Sequence, residues 1–262
     1  MIRAKKSLGQ NFLTDELIIN RLLETIGPKK EDNFFEIGSG RGELTKKLTS
    51  IVRKIDGVEI DNDLINNLKR LESDFTNLTI HKTSVLNVRL EEISKEKLKF
   101  RVLGNLPYNL SSKIMLWTFN NCEHILDVHY MFQKEFGERL VSVPGNKSYG
   151  RLSVITQYLF ECEALFEIPP ESFTPQPSVD SIFIKLLPKA QNKINSDEAT
   201  QLQEFTKLVF SKRRKKLSTS CKNIMNPNKF IDLGINPDSR PEALEISDFL
   251  KIVNYLLKTS NG

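Results

Sequence analysis

Short apolar runs alternate with amphipathic stretches over roughly the first 187 residues of the chain. Phe34-Phe35-Glu36-Ile37, Ile55 to Ile60, Leu78-Thr79-Ile80, Phe100 to Leu103 and Val128 to Phe132 have the length and composition of strands. Leu44, Leu48 and Ile51 recur at helical spacing after the first run, and Leu64, Ile65, Leu68 and Leu71 after the second. This alternation predicts a parallel, doubly wound α/β sheet with those helices as crossovers. Ala164 to Ile168 and Ser181 to Leu187 read as two further strands, able to pair as an antiparallel edge.

The pattern changes after Leu187. Pro188-Lys189-Ala190-Gln191-Asn192-Lys193 is polar and aperiodic, and Ser196-Asp197 behind it is a good helix start. Leu202, Phe205, Leu208 and Val209 then mark one amphipathic helix and Phe249, Ile252, Val253 and Leu256 another, with no strand-like run between. The expected organisation is a sheet domain over 1–187 and a small all-helical domain over 188–262, a division that suits 262 residues.

Charge reinforces the division. The formal net charge is +5; the tail from Pro188 has 13 Lys or Arg against 8 Asp or Glu, leaving 25 against 25 before it. An excess confined to the tail points to a nucleic-acid contact there. No apolar run approaches the roughly 18 residues of a membrane span, and Ser7-Leu8-Gly9-Gln10-Asn11 after the first basic residues lacks the apolar core of a signal peptide. A cytoplasmic protein is expected. Cys122, Cys162 and Cys221 are odd in number and widely spaced, which suits reduced thiols, and His81, His124 and His129 have no partner at metal-ligand spacing, so no metal is expected.

Two motifs carry the chemistry. Gly38-Ser39-Gly40-Arg41-Gly42 joins a strand to a helix, where a nucleotide cofactor docks in an open α/β sheet. The dinucleotide fingerprint needs a glycine at position 43, which is Glu43, so support for a pyrophosphate is missing. S-adenosylmethionine has no phosphate and needs only a tight turn and a nearby acid. Glu59, ending the second strand about twenty residues on, can accept ribose hydroxyls, while Asp61 is read as a helix cap.

The second motif is Asn105-Leu106-Pro107-Tyr108, directly behind the Phe100 run. An exocyclic base nitrogen is a poor nucleophile because its lone pair is delocalised, so acceptors must orient it. The Asn105 side-chain oxygen and the Leu106 carbonyl can each take one amino hydrogen, Pro107 stiffens the turn and Tyr108 offers a stacking face.

Taken together, Lys6 to Leu13, Glu36 to Gly40, Gly57 to Asp61, Gly104 to Asn109, Gln133-Lys134-Glu135, Tyr149 to Val154, Phe173-x-Pro175-x-Pro177-x-Val179 and Phe210 to Lys215 resemble the small-subunit ribosomal RNA adenine dimethyltransferase family almost end to end. The resemblance implies a Rossmann-like methyltransferase domain with a helical C-terminal domain. It implies a cofactor pocket of Asn11, Leu13, Gly38, Gly40, Glu59, Ile60, Ser84 and Asn105, with Phe173 stacking on the target base opposite Tyr108. Ser84 stands where the family usually has an Asp.

The run Lys212-Arg213-Arg214-Lys215-Lys216 is expected, with Arg3, Lys5 and Lys6, to contact RNA phosphates. The whole reading is a monomeric enzyme that uses S-adenosylmethionine to dimethylate N6 of two adjacent adenosines in a hairpin loop of small-subunit rRNA within an immature subunit. A large-subunit enzyme of the erythromycin-resistance type and a non-catalytic assembly factor are the alternatives.

Overall fold

The computed structural model describes residues 4–5, 8–94, 98–189 and 196–260. A short strand β1 (Phe12–Leu13) precedes helix α1 (Glu16–Ile26), and then β2 (Asn33–Ile37), α2 (Glu43–Thr49), β3 (Lys54–Glu59), α3 (Asn62–Asp74) and β4 (Leu78–Lys82) alternate. A one-turn α4 (Leu90–Ile93) leads to β5 (Phe100–Asn105), α5 (Ser111–Asn120), β6 (Ile125–Gln133) and α6 (Lys134–Val141). There follow α7 (Arg151–Leu159), β7 (Phe160–Ile168), β8 (Phe173–Thr174) and β9 (Ser181–Pro188). The rest is helical: α8 (Ser196–Ser211), α9 (Leu217–Ser220), α10 (Pro227–Asp232) and α11 (Ile246–Ser260).

Seven strands form one sheet in the order β4-β3-β2-β5-β6-β9-β7. The pairs from β4 to β6 are parallel and β9 runs antiparallel to β6, so the parallel body and the later strands at one edge follow the hydrophobic pattern. Chain order reverses between β2 and β5, which makes their carboxyl ends the crevice of the sheet. β1 pairs with β8 in a separate two-stranded ribbon.

Local rules account for the crossovers. Asp15 caps α1 by accepting from the N–H groups of Leu17 and Ile18, and Gly27 ends it in the left-handed conformation, with Ile19, Leu22 and Ile26 on the buried face. Leu44, Leu48, Leu64, Ile65 and Leu68 enter the core as their spacing predicts. Ile51 does not. α2 stops at Thr49, and Ile51 lies in the turn toward β3, largely in solvent.

The domain expectation needs correcting. The chain separates into one compact unit of 1–137 with 163–188 and another of 138–162 with 189–262. The sheet unit therefore ends at Pro188, one residue past the expected Leu187, and the helical unit also takes the segment containing α7. Val154, Ile155, Tyr158 and Leu159 of α7 are buried, and the Tyr158 hydroxyl donates to Glu198 of α8 at 2.6 Å. The first of the three crossings falls inside α6 and the second inside β7, where a change of packing partner leaves no break in composition. The expected linker at 190–193 lies outside the described residues. Within the helical unit Phe249 stacks on Phe210 and meets Phe205 edge-on.

One buried ion cluster fastens the base of the sheet. Arg101 of β5 clamps Asp127 of β6 with Nε and Nη2 at 3.0 and 2.8 Å, reaches Asp32 at 2.7 Å, and donates to the carbonyls of Ile26 and Gly27 at the end of α1. Replacing Arg101 by Met would leave two carboxylates short of their partner in a dry setting. We expect it to cost about 3–5 kcal/mol in urea denaturation, and a loss below about 1 kcal/mol, the range of an exposed pair, would contradict this account.

Candidate functional site

Parallel pairing sets the site. Ile37 of β2 is level with Val58 of β3 on one side and Gly104 of β5 on the other. The next residue on each strand is Gly38, Glu59 and Asn105, so three sequence-distant positions emerge together from the carboxyl edge.

The glycine turn wraps this edge. Gly38, Gly40 and Gly42 all have positive φ, at 70°, 57° and 84°, which L side chains rarely adopt. The Gly38 N–H bonds the Val58 carbonyl at 2.9 Å, and Gly40 donates to Glu59 Oε2 at 3.0 Å. Glu59 Oε1 accepts from the N–H groups of Ile60 and Asp61 at 2.8 and 2.9 Å. The carboxylate is thereby fixed in direction by three main-chain donors, and a ligand hydroxyl would meet chiefly the remaining capacity of Oε2.

Asn105 is oriented from outside the sheet. Its Nδ2 donates to the Asn11 carbonyl at 2.7 Å, which leaves Oδ1 as the acceptor of the amide. Turned so that its nitrogen meets carbonyls, the Asn11 side chain donates to Gln10 and Pro175 at 3.2 and 3.1 Å. Tyr108, three residues on, has its hydroxyl 2.7 Å from Ser181 Oγ on β9. Burial pushes the Tyr108 phenol above its ordinary value, only partly opposed by that hydrogen bond.

These groups line a hollow that is open to solvent. Gly38, Gly40, Glu59, Ile60, Ser84, Asn105, Leu106, Pro107 and Tyr108 contribute to it, together with Gln10 and Asn11 from the segment before β1. Glu59 is the one charged side chain among the described lining residues.

A smaller hollow adjoins it beneath the glycine turn, lined by Phe12, Leu13, Glu36, Arg41 and Asn105 among others. Glu36 is buried and accepts a hydrogen bond from the Thr45 hydroxyl. Burial raises its pKa from 4.5 to about 7, against the opposing Thr45 bond and with help from the negative charge of Glu59.

Comparison with known proteins bears on this geometry. A family model described as ribosomal RNA adenine dimethylase matches residues 1–258. The chain belongs to that family. The ribosomal RNA small subunit methyltransferase A of Marinomonas sp. (strain MWYL1) is 38% identical over 256 residues, spanning 98% of this chain and 96% of its own. That of Dechloromonas aromatica (strain RCB) is 38% identical over 253 residues, or 97% of this chain and 98% of its own. A solved dimethyladenosine transferase from Plasmodium falciparum superposes with a TM-score of 0.82 at 24% identity, over 95% of this chain and 98% of its own. The 23S rRNA methyltransferase ErmE does so with 0.74 at 23% identity, over 94% and 99%. Those two superpositions show the methyltransferase fold.

Within this dimethylase-family chain most expected site residues gather, but several stand elsewhere. Phe173 does not line the hollow; its ring is 3% exposed within the core, where pairing with Leu13 on β1 holds it. Leu13 lines only the smaller hollow and is otherwise core. Ser84 is on the wall, but its hydroxyl already accepts from the Leu86 N–H at 3.3 Å. Asp61 is the cap of α3 and also pairs with Lys5 at 2.5 Å, so Lys5 is engaged by Asp61 and, at 2.7 Å, Asp63 and is not free for phosphate. Although burial pushes the Asp61 carboxyl up, Lys5 and Gln10 hold it below its ordinary value. Arg3 and Lys6 lie outside the described residues.

In the helical unit the basic run forms the turn between α8 and α9. Arg213 pairs with Glu242 at 2.6 Å and donates to the Lys147 carbonyl, and Lys216 pairs with Asp238 at 3.1 Å, so two of the five have structural partners. Lys212, Arg214 and Lys215 are exposed. Among the described residues no three His, Cys, Asp or Glu side chains form a metal-holding group, and no helix is long and apolar enough to cross a membrane. Cys122, Cys162 and Cys221 are free, and burial pushes their thiols up to about 11, 12 and 11.

Gln10 and Glu36 were not picked out from the sequence as site residues. Glu36 could have been, as the acid inside the apolar run Phe34 to Ile37. Its raised pKa has a definite sign. Neutral Glu36 favours the fold fully below about pH 4.5, and that contribution is lost as the pH rises through about 7. Glu36→Gln, which keeps an acceptor for Thr45, should therefore gain about 3 kcal/mol on the unaltered protein between pH 5 and pH 8. Denaturant melts at both pH values check this; a pH-independent difference would show that Glu36 is ionised in the fold.

Proposed function

We propose that this chain is an S-adenosylmethionine-dependent enzyme that dimethylates N6 of two adjacent adenosines in a loop of small-subunit ribosomal RNA, with the immature subunit as its substrate. The observation that carries the reading is the convergence of Glu59, the glycine turn and Asn105 on one hollow with no Lys or Arg among its described lining residues. Small-subunit relatives at 38% identity, against 23% for the large-subunit ErmE, support the small-subunit substrate over the large one.

The lining fits the cofactor. Its one charge is negative, which suits a phosphate-free nucleoside bearing positive charge. Glu59 would hold the ribose, Ile60 and Ser84 the adenine side, and the turn Gly38–Gly40 with Asn11 the methionine part. Bound there, S-adenosylmethionine supplies an electrophilic methyl group. The chain's own work is on the acceptor. Asn105 Oδ1 takes one amino hydrogen and the Leu106 carbonyl the other, which draws the lone pair of N6 out of conjugation with the ring. Tyr108, anchored through Ser181, gives the base a fixed face. The amine acidifies only after it is methylated, so water suffices to take the proton. A loop base is required because a paired amino group is out of reach.

Asn105→Ala should lower the first transfer at saturating cofactor about a hundredfold or more, measured by mass spectrometry of digested rRNA. Near-normal transfer would remove Asn105 from this role. Lys212, Arg214 and Lys215 are the proposed partners of the RNA phosphates. Neutralising all three should flatten the salt dependence of RNA affinity by about 0.7–0.9 in log–log slope for each phosphate released, and an unaltered slope would make the run a merely solvated turn.

A further inference from the structure

Two adjacent residues of the segment leading into β1 are held by polar bonds beside the hollow. Gln10 Nε2 donates to Asp61 Oδ2 at 2.8 Å, and Gln10 Oε1 accepts from the Lys5 main-chain N–H at 2.8 Å. Both halves of that amide are engaged. Lys5 adds its ammonium to the same carboxylate, which has no exposed side-chain surface. On the next residue, the Asn11 carbonyl takes the Nδ2 hydrogen of Asn105.

Just before these two residues the chain runs beside the Asn-Leu-Pro-Tyr-Asn turn. Gly9 has a φ of +64°, and a Cβ there would come within 2.8 Å of Asn109 Oδ1 and 3.6 Å of Pro107 Cβ. An L side chain would be strained at that φ, and its Cβ would also displace the Asn109 amide, so the strap runs close beside the turn. Its position is then set by the Asp61 anchor, one residue before α3 and two after Glu59.

An amide has two faces of opposite polarity. If the Asn11 carbonyl withdrew, the Asn105 amide could turn over and present its NH₂ to an incoming amino group, donor against donor. We propose that Gln10 is a positioning residue for methyl transfer: by tying the strap to Asp61 it keeps the Asn11 carbonyl on Asn105 Nδ2 and the oxygen of Asn105 on the acceptor nitrogen. The proposal rests on the function stated above. It also gives Asp61 a task beyond capping a helix, since the residue that starts α3 beside the ribose acid sets the amide across the hollow.

The test uses the full chain in three forms. Gln10→Ala should lower kcat for the first methyl transfer about ten- to a hundredfold, at saturating cofactor and with the RNA affinity unchanged. Gln10→Glu places a carboxylate against Asp61 and should be at least as slow. Adding Asp61→Asn to Gln10→Glu reverses donor and acceptor while keeping a cap for α3 and a carboxylate for Lys5, and should restore kcat to within about threefold of the unaltered protein. A kcat that returns fully in Gln10→Ala at saturating cofactor, or a double variant no faster than its parents, would overturn the proposal. Nitrogen-15 labelling of asparagine supplies a readout that needs no turnover: the Asn105 amide resonances should move and exchange faster with solvent in Gln10→Ala and return in the double variant. If the unaltered protein transferred no methyl group, the functional reading would fall, and unmoved Asn105 resonances would separately overturn the role of Gln10.

Discussion

The site depends on the register of three parallel strands. Because β3, β2 and β5 are paired so that Val58, Ile37 and Gly104 lie level, their successors emerge side by side with no loop needed to bring them together. A slip of one residue in either pairing would send the Glu59 or Asn105 side chain to the opposite face of the sheet. Main-chain bonds then lock what the register places. Glu59 is gripped by Gly40, Ile60 and Asp61, so the acid, the glycine turn and the start of α3 form one rigid corner.

Much of this was legible in the residues. Strand-length apolar runs located β2 to β6, since a sheet covered on both faces needs near-continuous hydrophobic runs, and the glycine spacing with Glu59 twenty residues on and the run Asn105-Leu106-Pro107-Tyr108 each mark residues that line the hollow. These signals are local: each depends on a turn, a cap or a strand end that a few neighbouring residues determine.

What the residues concealed is set by partners far along the chain. Lys5 reads as a phosphate contact until its distance to Asp61 is known, and Phe173 as an open stacking face until its pairing with β1 buries it. The helical unit's claim on α7 is hidden for the same reason: an apolar helix face does not record which helix will cover it. Ile51 shows the smaller limit of periodicity, which continues past a helix end that the backbone does not respect.

The charge of the main hollow has a consequence for life among abundant metabolites. A cell holds many adenine-bearing molecules, and most carry a chain of phosphates. Entering this hollow, such a tail would face the Glu59 carboxylate with no Lys or Arg among the described lining residues to offset it. Repulsion from that one acid would thus count against a phosphate chain at this wall.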